Sequence, residues 1–255
     1  MIDSLVFALI PFLGLLLGSF TTALVYRVPR GMNWVSERSI CTSCGRNLGV
    51  LDLVPVFSWL SSHGACRTCH AKVSARYPLI ELSVAVLCIA GYSLLGGGFE
   101  GWLFIFAVPA LVALFVIDFD TMTLPNVLVI FLAVLGVGRL AGLAYFGHSF
   151  QVFDLLLPYV LGAFVFCFVS WFCAFVLMRV LKKNMMGMGD VKFFAVAGLW
   201  LGLAQLPWFY VLSGLSGVLL ALIWRKLGKG EVFPFGPALI FSFVVLLLWQ
   251  GPILR

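Results

Sequence analysis

The chain has 255 residues, 63% of them hydrophobic and only 10% charged, against about 25% charged in an ordinary soluble domain. With a mean hydropathy of +1.14, this excludes a soluble globular protein and defines a polytopic membrane protein. The net charge of +6 does not point to nucleic acid, because the basic residues lie between apolar stretches as in cytoplasmic loops, where they serve orientation and contact with anionic lipid.

The N-terminal Met1-Ile2-Asp3-Ser4 lacks the basic region of a secretory signal. The next apolar stretch is too long for a signal core and reads as a retained span. About 20 apolar residues cross a bilayer as a helix, and the sequence offers 5–26, 78–97, 101–118, 126–146, 154–178, 191–206, 208–224 and 233–251. Gly96-Gly97-Gly98 forms a tight turn between the second and third spans. The uncharged run from Phe193 to Trp224 is too long for one span, so it is expected to be a hairpin turning at Leu206-Pro207-Trp208. No internal repeat and no low-complexity tract is visible.

Residues 27–76 hold seven Lys/Arg, residues 179–192 hold four (Arg179, Lys182, Lys183, Lys192), and residues 225–229 hold three. Eight spans with the N-terminus outside put all three clusters in the cytoplasm. The fold expected is an all-α integral membrane protein of about eight transmembrane helices, with a small cytoplasmic four-cysteine domain between the first and second spans. The divisions are 1–26 for the first helix, 27–77 for the cysteine domain and 78–255 for the remaining membrane domain. At about 50 residues, the cysteine domain is too small for an unaided core.

That domain contains Cys41-Thr42-Ser43-Cys44 and, 21 residues on, Cys66-Arg67-Thr68-Cys69. Two C-x-x-C turns can aim four thiolates at one tetrahedral ion, and four thiolates close the shell, so the expected role is structural zinc. Metal binding also supplies folding energy to a segment that cannot bury enough core. The alternative is two disulfides or free thiols, which a cytoplasmic location disfavours. His63 and His70 are possible substitute ligands, with His70 favoured as a surface residue. Cys88, Cys167 and Cys173 lie inside spans and read as small core hydrophobes.

Two carboxylates sit against apolar spans on one expected face: Asp118 closes the third span and Asp190, in Gly187-Met188-Gly189-Asp190, opens the sixth. A charge near hydrocarbon is costly and tends to be functional. Facing aspartates share one proton, and the ionised partner then acts as base toward water. The rival is that each Asp caps a helix or pairs with a basic residue, and capping is a serious rival for Asp190. Asp120 competes with Asp118, but two positions along a helix it projects about 200° away. Asp154 reads as a helix-start residue.

The ordered set of motifs resembles the type IV prepilin peptidase family, the GxGD-type leader peptidases and N-methyltransferases of pilus, type II secretion and competence systems. It comprises Gly18-Ser19-Phe20 with Tyr26-Arg27-Val28-Pro29, the cysteine segment with Asp52 to Leu60, Arg76-Tyr77-Pro78-Leu79-x-Glu81, Ile117-Asp118 with Leu124-Pro125, Gly187-x-Gly189-Asp190-x-Lys192, and Phe233-Pro234-Phe235-Gly236-Pro237-Ala238. The resemblance implies a bacterial inner-membrane enzyme that cuts the basic leader of prepilins and pseudopilins after a glycine, on the cytoplasmic side, with Asp118 and Asp190 as the catalytic pair. It implies methylation of the new N-terminus with S-adenosylmethionine, an activity associated with the cysteine domain. A leader peptidase without methyltransferase activity is the alternative, since Thr22 stands where the family often has Asn. Asn126 likewise replaces the family's frequent Asp.

Three further groups keep two readings each. Glu81 either pairs structurally with Arg76 or receives the basic leader or the new amine. Asp52 is a turn residue or a methyltransferase group, with the turn favoured. Lys192 acts on Asp190 or snorkels to lipid phosphates.

Overall fold

A computed structural model describes residues 2–34, 37–146, 152–181, 187–230 and 232–253. Lys182 and Lys183 of the second basic cluster lie outside the described residues. The described chain is helical: α1 Ile2–Arg27, α2 Phe57–Ser61, α3 Arg76–Leu95, α4 Phe99–Thr121, α5 Asn126–Phe146, α6 Val152–Leu181, α7 Met188–Leu201, α8 Leu206–Lys226 and α9 Gly236–Gln250. Six helices are long and apolar enough to cross a membrane. The expected spans at 191–206 and 233–251 correspond to shorter helices, α7 with 14 residues and α9 with 15. The architecture is therefore a multi-pass helical one with six full-length spans among the described residues. The chain divides into two compact units, residues 1–113 and 114–255.

In the first unit α1 packs along α3. Lipid offers helices no hydrophobic drive to associate, so small residues that let backbones approach take over. A Cβ on Gly14 would lie 2.6 Å from Cα of Ala85, and one on Gly18 would lie 2.5 Å from Cα of Glu81. Gly96, at φ 81°, ends α3 as the triple-glycine turn requires.

In the second unit α7 packs on α5, α6 and α9. Gly162 of α6 and Gly198 of α7 meet backbone to backbone, since a Cβ on Gly162 would fall 2.6 Å from the Gly198 carbonyl oxygen. Phe193, Phe194, Trp200, Phe209 and Phe243 are buried around this crossing. The hairpin between α7 and α8 turns earlier than expected, at Gly202 (φ 77°) and the 3₁₀ turn Leu203–Gln205. Pro207 is the second residue of α8 and does not break it, because a first-turn proline forfeits no helical hydrogen bond.

Arg139, which sequence patterning left unremarked inside an apolar span, is 2% exposed. Its Nη1 donates to the Trp200 carbonyl at 2.9 Å, and its guanidinium lies over the Tyr159 and Trp200 rings. It satisfies one of the carbonyls that the end of short α7 leaves without an intrahelical partner.

Candidate active site and cysteine centre

The two aspartates fall within the second unit. Asp118 lies one turn before the end of α4, is 3% exposed, and comes directly after the fully buried Ile117. Asp120 is on the same continuous helix and exposed. The helix stops at Thr121, where Met122 adopts φ 52° and donates its N–H to the Asp118 carbonyl at 2.9 Å. After this tight stop come Leu124-Pro125 and α5.

Oδ2 of Asp118 accepts the Gly236 N–H at 2.9 Å. Gly236 is the first residue of α9 and Pro237 the second, so that N–H is an orphan donor at a helix start with the helix dipole behind it. A Cβ on Gly236 would lie 2.7 Å from this carboxylate oxygen.

Asp190 is the third residue of α7, and its Oδ2 accepts the Gly187 N–H at 3.2 Å. The capping role weighed for it is therefore present, as half of a capping box. It does not use up the group: among the described residues, Oδ1 of each aspartate has no hydrogen-bond partner. The charge of Asp118 acts on Asp190. Leu124 lies between the two motifs, since a Cβ on Gly189 would come 3.1 Å from its Cβ and one on Gly236 would come 3.0 Å from its Cδ2. Lys192 has a partner that neither reading foresaw: its Nζ donates to Oδ1 of Asn126 at 2.9 Å and ties the start of α7 to the start of α5.

In the first unit the four thiols of Cys41, Cys44, Cys66 and Cys69 lie within 4.8 Å of one another, all as free cysteines. Sγ of Cys41 and Sγ of Cys69 are 3.9 Å apart. Sulfurs at about 2.3 Å from a tetrahedral ion stand about 3.8 Å from each other, so the donor set fits such an ion. Backbone N–H groups of Cys69 and Thr68 aimed at Sγ bring the Cys66 thiol down, while burial and the neighbouring thiols push Cys69 up, so the cluster gives up its first protons readily and its last only to a metal.

The two knuckles are a structural repeat invisible in the sequence outside the cysteines. Gly45 N–H bonds the Cys41 carbonyl at 2.9 Å and His70 N–H bonds the Cys66 carbonyl at 3.0 Å. Bridges Ile40 to Asn47 and Ala65 to Lys72 close each loop. His70, at φ 54°, occupies the left-handed position that Gly45 fills at φ 71°, and neither His70 nor His63 belongs to the thiol cluster.

Asp52 joins the knuckles. Its Oδ2 accepts Arg46 at 2.9 Å, its Oδ1 meets Arg67 at 3.5 Å, and Oδ2 also takes the Gly49 N–H of its own turn at 3.0 Å. Glu81, on α3, accepts the Val56 N–H at 2.7 Å. Of the other cysteines, Cys88 is buried, whereas Cys173 is exposed on α6 and is not a core residue.

These features define a multi-pass helical membrane protein with an interacting aspartate pair in one unit and a four-thiol cluster in the other. Two family models match: Bacterial Peptidase A24 N-terminal domain over residues 12–94 and Type IV leader peptidase family over residues 105–222. The chain is similar to the prepilin leader peptidase/N-methyltransferase of Pseudomonas aeruginosa, 34% identical over 95% of this chain and 90% of that protein. The protein of the same description from Aeromonas hydrophila is 31% identical over 98% and 93%, and that from Vibrio cholerae is 29% identical over 91% and 92%. No solved structure matches. The chain belongs to the type IV leader peptidase family.

Proposed function

We propose that this protein cleaves the leader peptide of prepilins and pseudopilins with Asp118 and Asp190, then N-methylates the new N-terminal residue using S-adenosylmethionine. The names of its relatives support both activities. The observation that carries the peptidase assignment is the pairing itself. Two aspartates from different helices come close enough for their charges to interact, each held through Oδ2 by a glycine N–H.

In this reading the pair holds one proton between two like charges. The ionised carboxylate removes a proton from water as the water attacks the scissile carbonyl, and the protonated partner donates to the departing amine. The pair titrates as one unit. Gly189 and Gly236 let Leu124 and the Asp118 carboxylate pack closely between the two motifs.

The cysteine cluster is proposed to hold a structural zinc ion in a 27–77 domain, with 78–255 as the peptidase domain. The basic clusters support a cytoplasmic position, at the bacterial inner membrane, for the cysteine segment and the aspartate ends of α4 and α7. Substrates arrive embedded in the bilayer.

The test is cleavage of a membrane-embedded prepilin by wild type, Asp118→Asn and Asp190→Asn, with mass spectrometry of the product in the presence of S-adenosylmethionine. Loss of cleavage in both variants and a product heavier by one methyl group from wild type are expected. Cleavage surviving both substitutions would sink the aspartic mechanism, and an unmethylated wild-type product would leave a peptidase alone.

A further inference from the structure

The methyltransferase reading, on which the site proposed here rests, requires a place for a donor that carries a carboxylate and for an acceptor amine. Within the first unit, the C-terminal half of α1, the first turns of α3 and the cysteine segment enclose a cavity of about 430 Å³. Two of its lining residues are buried charges, Arg27 and Glu81, each 8% exposed. A charge removed from water demands compensation.

Among the described residues each meets only neutral hydrogen-bond partners. Arg27 donates only to neutral acceptors, the Trp34 carbonyl at 3.2 Å and the Ser39 hydroxyl at 3.4 Å. Glu81 accepts only from neutral donors, the Val56 N–H at 2.7 Å and the Ser19 hydroxyl. Among the described residues neither takes part in an ion pair. Their backbones are well separated: Glu81 backs onto Gly18, and Arg27 stands nine residues further along α1, about 13 Å of helical rise. One cavity thus holds a buried cation and a buried anion, neither ion-paired among the described residues and set apart along α1, with Tyr26, Trp59, Tyr77 and the further charges of Glu37, Arg38 and Lys72 also in its wall.

We infer that this cavity is the methyl-transfer site, where Arg27 receives the carboxylate of S-adenosylmethionine and Glu81 receives the α-ammonium group of the acceptor chain. A guanidinium offers a carboxylate two parallel N–H groups. The aromatic rings offer the adenosine portion an apolar wall. Transfer forms the bond between amine nitrogen and methyl carbon and breaks the carbon–sulfur bond, whose electron pair remains on sulfur. The proton shed by the ammonium passes to the Glu81 carboxylate.

The experiment uses the full-length, zinc-loaded protein in lipid nanodiscs, with zinc content and melting temperature reporting that each variant is folded. Calorimetry measures binding of S-adenosylhomocysteine, and mass spectrometry tracks methylation of pilin that is already cleaved. Arg27→Gln is expected to weaken binding by about tenfold or more, and Arg27→Lys by less. Glu81→Gln is expected to leave that affinity within about threefold of wild type but to slow methylation by about tenfold at pH 7. Its rate should recover as pH passes about 8, where an α-amino group sheds its proton unaided.

Unchanged affinity in Arg27→Gln, or a Glu81→Gln pH profile parallel to wild type, overturns the assignment. So does a tightly held phospholipid in the cavity that the nucleoside does not displace. A wild type that methylates no cleaved pilin removes the methyltransferase reading, and this site with it, a result distinct from an unaffected variant.

Discussion

Gly236 donates its N–H to Oδ2 of Asp118 across 2.9 Å, although 118 residues separate them in the chain. The contact explains why a glycine opens α9. Its N–H fixes the carboxylate, and the missing Cβ gives the carboxylate room. Gly236→Ala places a methyl group 2.7 Å from Oδ2 and 3.0 Å from Leu124, so the carboxylate must shift. In the proposed aspartate mechanism, a displacement approaching 1 Å at this carboxylate costs about 100-fold. Initial rates of prepilin cleavage by folded variant protein are expected to fall to that extent.

Asn126 and Lys192 share a neutral hydrogen bond at 2.9 Å. Asn126→Asp turns it into an ion pair at the start of α5, where a negative charge also meets the helix dipole favourably. Lys192 is partly solvated, so the gain is at most about 1 kcal/mol. Thermal unfolding in detergent should show a slightly higher melting temperature that returns toward wild type as salt is raised.

Asp52 holds Arg46 of one knuckle and Arg67 of the other. The Gly49 N–H, and then the two arginines, keep its carboxyl below the usual carboxylate range. A depressed value means that the stabilisation is complete above the ordinary Asp value of about 3.9 and disappears as pH falls through the lower folded value. Asp52→Asn is expected to lower zinc retention by about tenfold at pH 7, measured by competition with a chelator. The difference between variant and wild type should persist down to about pH 4 and close below it.

Arg139 meets the Trp200 carbonyl inside the second unit. Arg139→Met removes a charged donor and strands that carbonyl, at a cost of about 1.5–3 kcal/mol. Steric-trap or denaturant unfolding in bilayers should register the loss. Arg139→Lys, which keeps a donor but not the planar fork, should recover part of it.

What the sequence revealed depended on the range of the interaction. The thiol cluster and the glycine-flanked Asp190 are written in spacings of two or three residues, and both stand where their motifs suggest. Six of the eight span-length apolar runs became long helices, and the other two became the shorter α7 and α9. Pro207 misled because proline breaks a helix only in its interior, and here it lies in the first turn. Arg139 was overlooked because one charge barely disturbs the hydropathy of a 21-residue helix. Asp52 was read as a turn residue and is one, but its second role, bridging two knuckles, depends on a tertiary fold that no local pattern records. The repeat relating the knuckles was hidden because it is carried by backbone hydrogen bonds and hardly by shared side chains.

The shortness of α7 has a consequence for where cleavage takes place. Its 14 residues rise about 21 Å, while the hydrocarbon core is about 30 Å thick. In the proposed topology the shortfall is placed at the end that carries Asp190, the third residue of the helix. A carboxylate recessed in this way can meet a scissile bond at the foot of an apolar helix while that helix stays in lipid. The distance between the membrane surface and the carboxylate then acts as a ruler. Adding one turn to α7 would move Asp190 outward by about 5 Å and carry the cut site into the leader, and a thicker bilayer would bury it beyond the reach of the same peptide bond.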